Sequence, residues 1–405
     1  MTMPPTVLLA YELGRGFGHV APLRTLVVPL QQAGFRVILA SHDLFEAAAM
    51  LRDFPCPVIA APSLPHGRNR FVQSKHCTSY ADLLAVNGYA HVDNLGPLLR
   101  AWRDLIEVTH ADLVISEHAP TANLAAKWAC SRSIPVIRIG VGFTVPPCDR
   151  HEFPAYLLDR PPLIDSAQVL QTITTALSDL GRLIPVTLPE AMRCDADYVT
   201  NFPSIDPYSS MRSTPAVGPL TDLPARLPPA PADAGFFAYL NGENVAAMHV
   251  ILALGQTGVY GAGYFRNLAP AFRSQLETVG IHVHDRPVPL DLALAQASVV
   301  VHHASAGTAQ TVLAAGRPQM LFPEHFEHIF TATLLHRMGV AHYQIPPINP
   351  MNAVEAIQYL RTDPTIRDCV IAQADAIHAA GPWTPIPKIV EHAVRLIKES
   401  RRIDE

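Results

Sequence analysis

Short apolar and β-branched runs alternate with helical periodicity along most of the chain. Thr6 to Tyr11 reads as a strand, Gly14 to Gly18 as a tight loop, and Val20 to Ala33 as a helix that stops near Gly34. Further strands fall at Arg36 to Ser41, Val58 to Ala60, Leu113 to Ser116 and Pro135 to Ile139, with helices at Leu44 to Arg52 and Thr121 to Ser131. A proline-dense stretch from Phe202 to Pro231, which no regular element tolerates, interrupts the pattern. A second series follows: strands at Gly235 to Leu240, Ile281 to His284, Ser298 to His302 and Gln319 to Phe322, and helices at Asn244 to Leu254, Leu290 to Ala297 and Thr308 to Ala315. Alternation of this kind predicts parallel, doubly wound α/β sheets.

The 405 residues exceed one core at roughly 100 to 200 residues per domain, so two domains are expected. The expected division is 1–214, a linker over 215–233, 234–385, and a closing amphipathic helix within 386–405, where Val390, Ala393, Val394 and Ile397 share a face. Two lobes make an interdomain cleft. The segment His66 to Leu99, with His66, Phe71, His76, Tyr80, Tyr89 and His91 but no period, reads as a long excursion over that cleft rather than a core element.

Composition narrows the function. A formal charge of −5 with scattered basic residues gives no footprint for nucleic acid, although Arg401-Arg402 leaves room for peripheral contact with an anionic surface. The six cysteines lie far apart, without a CxxC pair, and read as reduced structural thiols. The apolar run near the start breaks at Glu12 before a signal peptide could form, and no stretch of about 18 apolar residues offers a membrane span. A cytoplasmic protein is expected.

Two turns carry candidate chemistry. In Gly14-Arg15-Gly16-Phe17-Gly18-His19, between strand and helix, glycines Gly16 and Gly18 permit close approach of a phosphate or acceptor. The full GxGxxG fingerprint is absent, because His19 occupies the third glycine position, which leaves a nicotinamide or flavin cofactor as the runner-up. An imidazole there could take a proton from a hydroxyl, with Glu117 on its other nitrogen; a simple capping or packing histidine is the plainer alternative. In the second turn, His303-Ala304-Ser305-Ala306-Gly307-Thr308 could cradle a diphosphate by helix-start amides, hydroxyls and an imidazole. The next strand-helix turn carries Glu324, His325, Glu327 and His328, able to bind sugar hydroxyls or, in a minor reading, a metal. Asn241 and Gly242 form a third polar loop, which an ordinary turn explains equally well.

Taken together, GFGHVAPL near the start and VVVHHASAGTAQTVLAAGRPQMLFPEHFEH near the end resemble the UDP-glycosyltransferase superfamily of GT-B fold, of the antibiotic type and more distantly the MurG-like enzymes. The resemblance implies His19 as base and Glu117, where an aspartate is common, as its support. It implies a donor diphosphate on His303 to Thr308, with Ala304 and Ser305 replacing two family glycines, and sugar hydroxyls on Glu327 and His328, where a glutamine usually follows the acid. It implies backbone near Val288 at the nucleobase in place of a stacking aromatic. The expected function is an inverting, metal-independent transfer of a hexose-type sugar, with UDP as the default carrier, to a small-molecule or lipid acceptor, the nucleotide sugar serving as co-substrate and no cofactor bound. A sugar-nucleotide-binding helper that has lost transfer, and an epimerase or oxidoreductase on a Rossmann-like fold, are the alternatives.

Overall fold

A computed structural model describes residues 3–14, 17–45, 48–65, 77–155, 161–231 and 234–403. The chain forms two compact units, residues 1–221 with 384–405, and residues 222–383.

The first unit holds a six-stranded sheet: β1 (Thr6–Tyr11), β2 (Arg36–Ser41), β3 (Val58–Ala60), β4 (Ala111–Glu117), β5 (Val136–Gly140) and β6 (Ala196–Val199). Its order is β3-β2-β1-β4-β5-β6, and every pair is parallel. All six residues of β1 are buried, as expected for a central parallel strand covered on both faces. Helix Phe17–Gln32 sets Val20, Leu23, Leu26, Val27 and Leu30 against the sheet. The C-terminal helix Pro385–Ile403 adds Ile389, Ala393 and Ile397 to the same core, each isoleucine supplying about 2 kcal/mol by burial.

The second unit repeats this topology. Strands β7 (Gly235–Asn241), β8 (Gly261–Arg266), β9 (Ile281–His284), β10 (Ala297–His302), β11 (Gln319–Leu321) and β12 (Ala341–Tyr343) form a parallel sheet of order β12-β11-β10-β7-β8-β9. In both sheets the chain reverses direction of travel across the sheet between its first and fourth strands. Open α/β sheets bind ligands at the carboxyl edge beside such a reversal.

Two sequence expectations are corrected here. The segment 77–99 is core, not excursion: Tyr80 is 2% and Tyr89 1% exposed, and helix Val92–Val108 buries Leu95, Leu99 and Trp102. Its period is hidden because Gly88, at φ 106°, breaks the helical run and Pro97 lies inside the helix. His66, Phe71 and His76 lie outside the described residues. The second domain also contains β8 and the helix Pro270–Thr278 in a stretch that had yielded no element.

Candidate active site

The first site lies at the switch point of the first sheet. β1 and β4 are hydrogen-bonded neighbours, with Tyr11 in register with Glu117, so their carboxyl ends arrive together. Glu117 is therefore the last residue of β4, paired as far as its own position, rather than the first residue beyond it. His19 stands in the first turn of helix Phe17–Gln32. Its Nδ1 meets Glu117 Oε2 at 2.7 Å. Glu117 is 3% exposed, and burial pushes its carboxyl above the usual carboxylate range although His19 pulls it back. A carboxylate on Nδ1 fixes the tautomer and favours the imidazolium, which assigns proton acceptance to Nε2.

Backbone and rings hold the imidazole in place. Gly14, at φ 101°, lies so close that a Cβ there would collide with His19 Nε2. Gly18 is the opposite case, since a Cβ would meet no described atom within 4 Å. Gly16 lies outside the described residues. The Tyr11 ring stacks on His19 at 5.2 Å, His118 stands 5.6 Å away, and His42 packs edge-on to Tyr11 at 4.6 Å. Burial lowers the His42 pKa, with Asp43 opposing and the nearby His19 reinforcing that shift. Sequence reasoning missed Tyr11, His42 and His118; all stand at or just beyond the carboxyl ends of β1, β2 and β4, which was the signal available.

Glu12 was read only as a break in an apolar run. It is 2% exposed, accepts the Thr121 N–H at 2.8 Å, and burial raises its carboxyl to about 7. It thereby ties the end of β1 to the turn that follows Glu117.

The second site occupies the matching switch point, between β7 and β10. His303 Nε2 accepts the Asn241 N–H at 2.6 Å, so Nδ1 carries the proton and donates to Phe322 O at 3.0 Å. Burial lowers its pKa, and the ring is neutral. Both nitrogens are thus spent on bracing three loops, and His303 offers a diphosphate no N–H of its own ring in this arrangement. His302 is likewise neutral, its pKa lowered to about 4 by burial; it donates to Gln319 Oε1 at 2.8 Å and accepts the Ala304 N–H at 3.1 Å.

The turn then enters helix Ala306–Ala314, whose first amides lack intrahelical acceptors. Ser305 makes no side-chain cap; its hydroxyl donates to Thr308 Oγ1 at 3.1 Å. Ala304 adopts φ 70°, in the left-handed region that favours glycine. A Cβ on Gly307 would meet no described atom within 4 Å, which keeps the helix start open.

Glu327 and His328 open helix Phe326–Arg337. His328 is 8% exposed, packs against His325 at 3.6 Å between ring centres, and lies parallel to His303 at 6.4 Å. Asn241 accepts the Glu243 N–H at 3.2 Å in a local turn. Gly242 donates to Arg266 O at 2.6 Å, and a Cβ on it would lie 2.6 Å from Leu268 Cα, so its role is close packing of β7 on β8. Val288 packs in one apolar cluster with Tyr239, whose ring lies 5.7 Å from that of Tyr264. Tyr239 is an aromatic group on the apolar cluster of Val288 that sequence spacing did not reveal. Among the described residues no cluster of three His, Cys, Asp or Glu side chains is arranged to hold a metal, and no helix is long and apolar enough to cross a membrane.

Two parallel six-stranded sheets flanked by helices, each with polar loops at its switch point, make the GT-B fold. No family model matches the chain. A curated relative, the L-demethylnoviosyl transferase of Streptomyces niveus, is 26% identical over 339 residues, spanning 80% of this chain and 81% of the relative. Among solved structures, the calicheamicin glycosyltransferase CalG4 is 19% identical with a TM-score of 0.69, the alignment covering 98% of this chain and 99% of that one. The kitacinnamycin glycosyltransferase is 17% identical with a TM-score of 0.66 over 97% and 99% of the two chains. VinC, solved with dTDP, is 17% identical with a TM-score of 0.63 over 97% and 100%. Fold and sequence likeness agree that the chain is a glycosyltransferase resembling those of natural-product pathways.

Proposed function

We propose that this glycosyltransferase moves a hexose-type sugar, with inversion and without a metal, from a nucleoside diphosphate to a hydroxyl of a small-molecule or lipid acceptor. The observation that carries this reading is the 2.7 Å pairing of His19 with the buried Glu117. In the step, the acceptor oxygen bonds to the anomeric carbon while its proton passes to His19 Nε2. The bond from that carbon to the diphosphate oxygen breaks, and its electron pair leaves with the nucleoside diphosphate. A single displacement inverts the centre, and the base contributes about 100- to 10,000-fold.

The turn 303–308 would take the diphosphate by helix-start amides and hydroxyls, with Glu327 and His328 at the sugar. Both UDP and dTDP fit this reading of the carrier; the dTDP bound in VinC brings the second alongside the first. The test is a screen of purified protein against UDP-, dTDP- and GDP-sugars with EDTA present, read by calorimetry and by release of the nucleoside diphosphate. Donor binding with slow hydrolysis or transfer is the expected result. Binding without any turnover across a broad acceptor panel would favour the helper-protein reading, and no binding would end the donor assignment.

A further inference from the structure

A diphosphate brings multiple negative charges, and the groups of the 303–308 turn bring little positive charge to meet them. His302 and His303 are neutral, and the Ala304 amide is already given to His302. Yet a guanidinium stands at the same sheet edge. Arg266 is the last residue of β8, in register with Asn241, the last residue of β7. Asn241 is in turn bonded to His303, and the Arg266 carbonyl receives the Gly242 N–H. The three loops are therefore joined by hydrogen bonds, and Arg266 lies close enough to His303 to oppose its protonation, which Glu324 favours.

The other half-buried or buried arginines of this unit are held by protein groups. Arg273 pairs with Asp285, Arg226 with Asp375, Arg317 donates to Leu294 O, and Arg361 donates to Ser298 Oγ and Ala234 O. Arg266 is half-buried, and among the described residues no hydrogen bond or ion pair holds its guanidinium. Arg286 and Arg337 of this unit also lack a protein partner among the described residues but are exposed. A half-buried guanidinium that no protein group holds keeps its donors for solvent or for an anion, and a phosphate is a good partner for its planar fork. Two residues earlier on the neighbouring strands, and so on the same face, lie Tyr264 and Tyr239, their rings 5.7 Å apart, and Tyr239 packs on the same apolar cluster as Val288.

We infer that Arg266 binds the diphosphate of the nucleotide donor at the edge of the second sheet, a planar fork that grips phosphate oxygens and neutralises the leaving group. The inference rests on the nucleotide-sugar reading above.

Calorimetry with UDP, dTDP and GDP, on wild type, Arg266→Ala, Arg266→Gln and Arg266→Lys, tests it. The expected result is binding of at least one diphosphate by wild type, a loss of roughly 10- to 100-fold in Arg266→Ala and Arg266→Gln, and partial recovery in Arg266→Lys. Wild-type binding should also weaken with added salt more steeply than that of Arg266→Gln. If wild type binds and both neutral variants match it, Arg266 is not the diphosphate cation and the donor reading stands without it. If wild type binds none of the three diphosphates, the donor reading falls and this inference falls with it. Should Arg266→Ala fail to fold in a thermal melt, Arg266→Gln, which keeps the stem, decides between these outcomes.

Discussion

Glu117, 3% exposed at the end of β4, holds the Nδ1 edge of His19 at 2.7 Å, while Gly14 closes against the Nε2 edge. The imidazole is thus oriented from both sides by groups that only the parallel pairing of β1 with β4 brings together.

Replacing Glu117 by Gln keeps the shape but removes the charge that stabilises the imidazolium. Turnover should fall roughly 10- to 1,000-fold with donor affinity unchanged. Because the Glu117 charge favours the protonated imidazole, its removal should also move the acid limb of the rate to lower pH. The pH dependence of kcat in both proteins checks this; an unchanged acid limb in Glu117→Gln contradicts it.

Gly14→Ala places a methyl against His19 Nε2 at a backbone conformation, φ 101°, that alanine rarely adopts. Activity should fall at least about tenfold, since a 1 Å misplacement can cost that or more. The melting temperature should fall by only a few degrees. A variant with wild-type kcat would show that Nε2 has room to move.

Glu12 sets a pH dependence of stability. Its pKa rises from 4.5 in the unfolded chain to about 7 in the fold, so the folded state binds the extra proton between those values. Stability from this group is fully present below 4.5 and is lost as pH rises through about 7, a change of about 3 kcal/mol at about 1.4 per unit. Glu12→Gln keeps an acceptor for the Thr121 N–H and removes the titration. Thermal melts at pH 5 and pH 8 should therefore show wild type losing ground to the variant at the higher pH; parallel curves would mean the carboxyl is not buried as described.

Ala304 at φ 70° costs about 1 kcal/mol relative to glycine in the same conformation. Ala304→Gly should stabilise the chain by up to about 0.5 kcal/mol, because the entropy of the unfolded glycine offsets much of the relieved strain. Chemical denaturation checks the sign, and a destabilised variant would place Ala304 in a different backbone state.

The strands that sequence made legible were short, β-branched and flanked by breakers. β1, β2, β3 and β9 begin and end where the pattern of Thr6 to Tyr11, Arg36 to Ser41, Val58 to Ala60 and Ile281 to His284 placed them. β8, Gly-Ala-Gly-Tyr-Phe-Arg, has little strand propensity and is held by pairing with β7 and β9, which no local pattern reveals. Arg266 was invisible for that reason, since a residue cannot be placed at a sheet edge before its strand is known. His19 was legible because its glycine turn sits between two strong elements. The internal bonding of His303 was not, because Asn241 and Phe322 reach it from loops 62 and 19 residues distant.

The central claim is that His19 removes the acceptor proton in a transfer whose donor is held elsewhere. The direct measurement is single-turnover transfer, with EDTA present, by wild type and His19→Ala using the donor that binds, alongside donor affinity for both proteins. The expected outcome is equal donor affinity with a transfer rate lowered by about 100- to 10,000-fold. Transfer by His19→Ala at the wild-type rate would contradict the account, as would loss of donor binding with the transfer rate preserved.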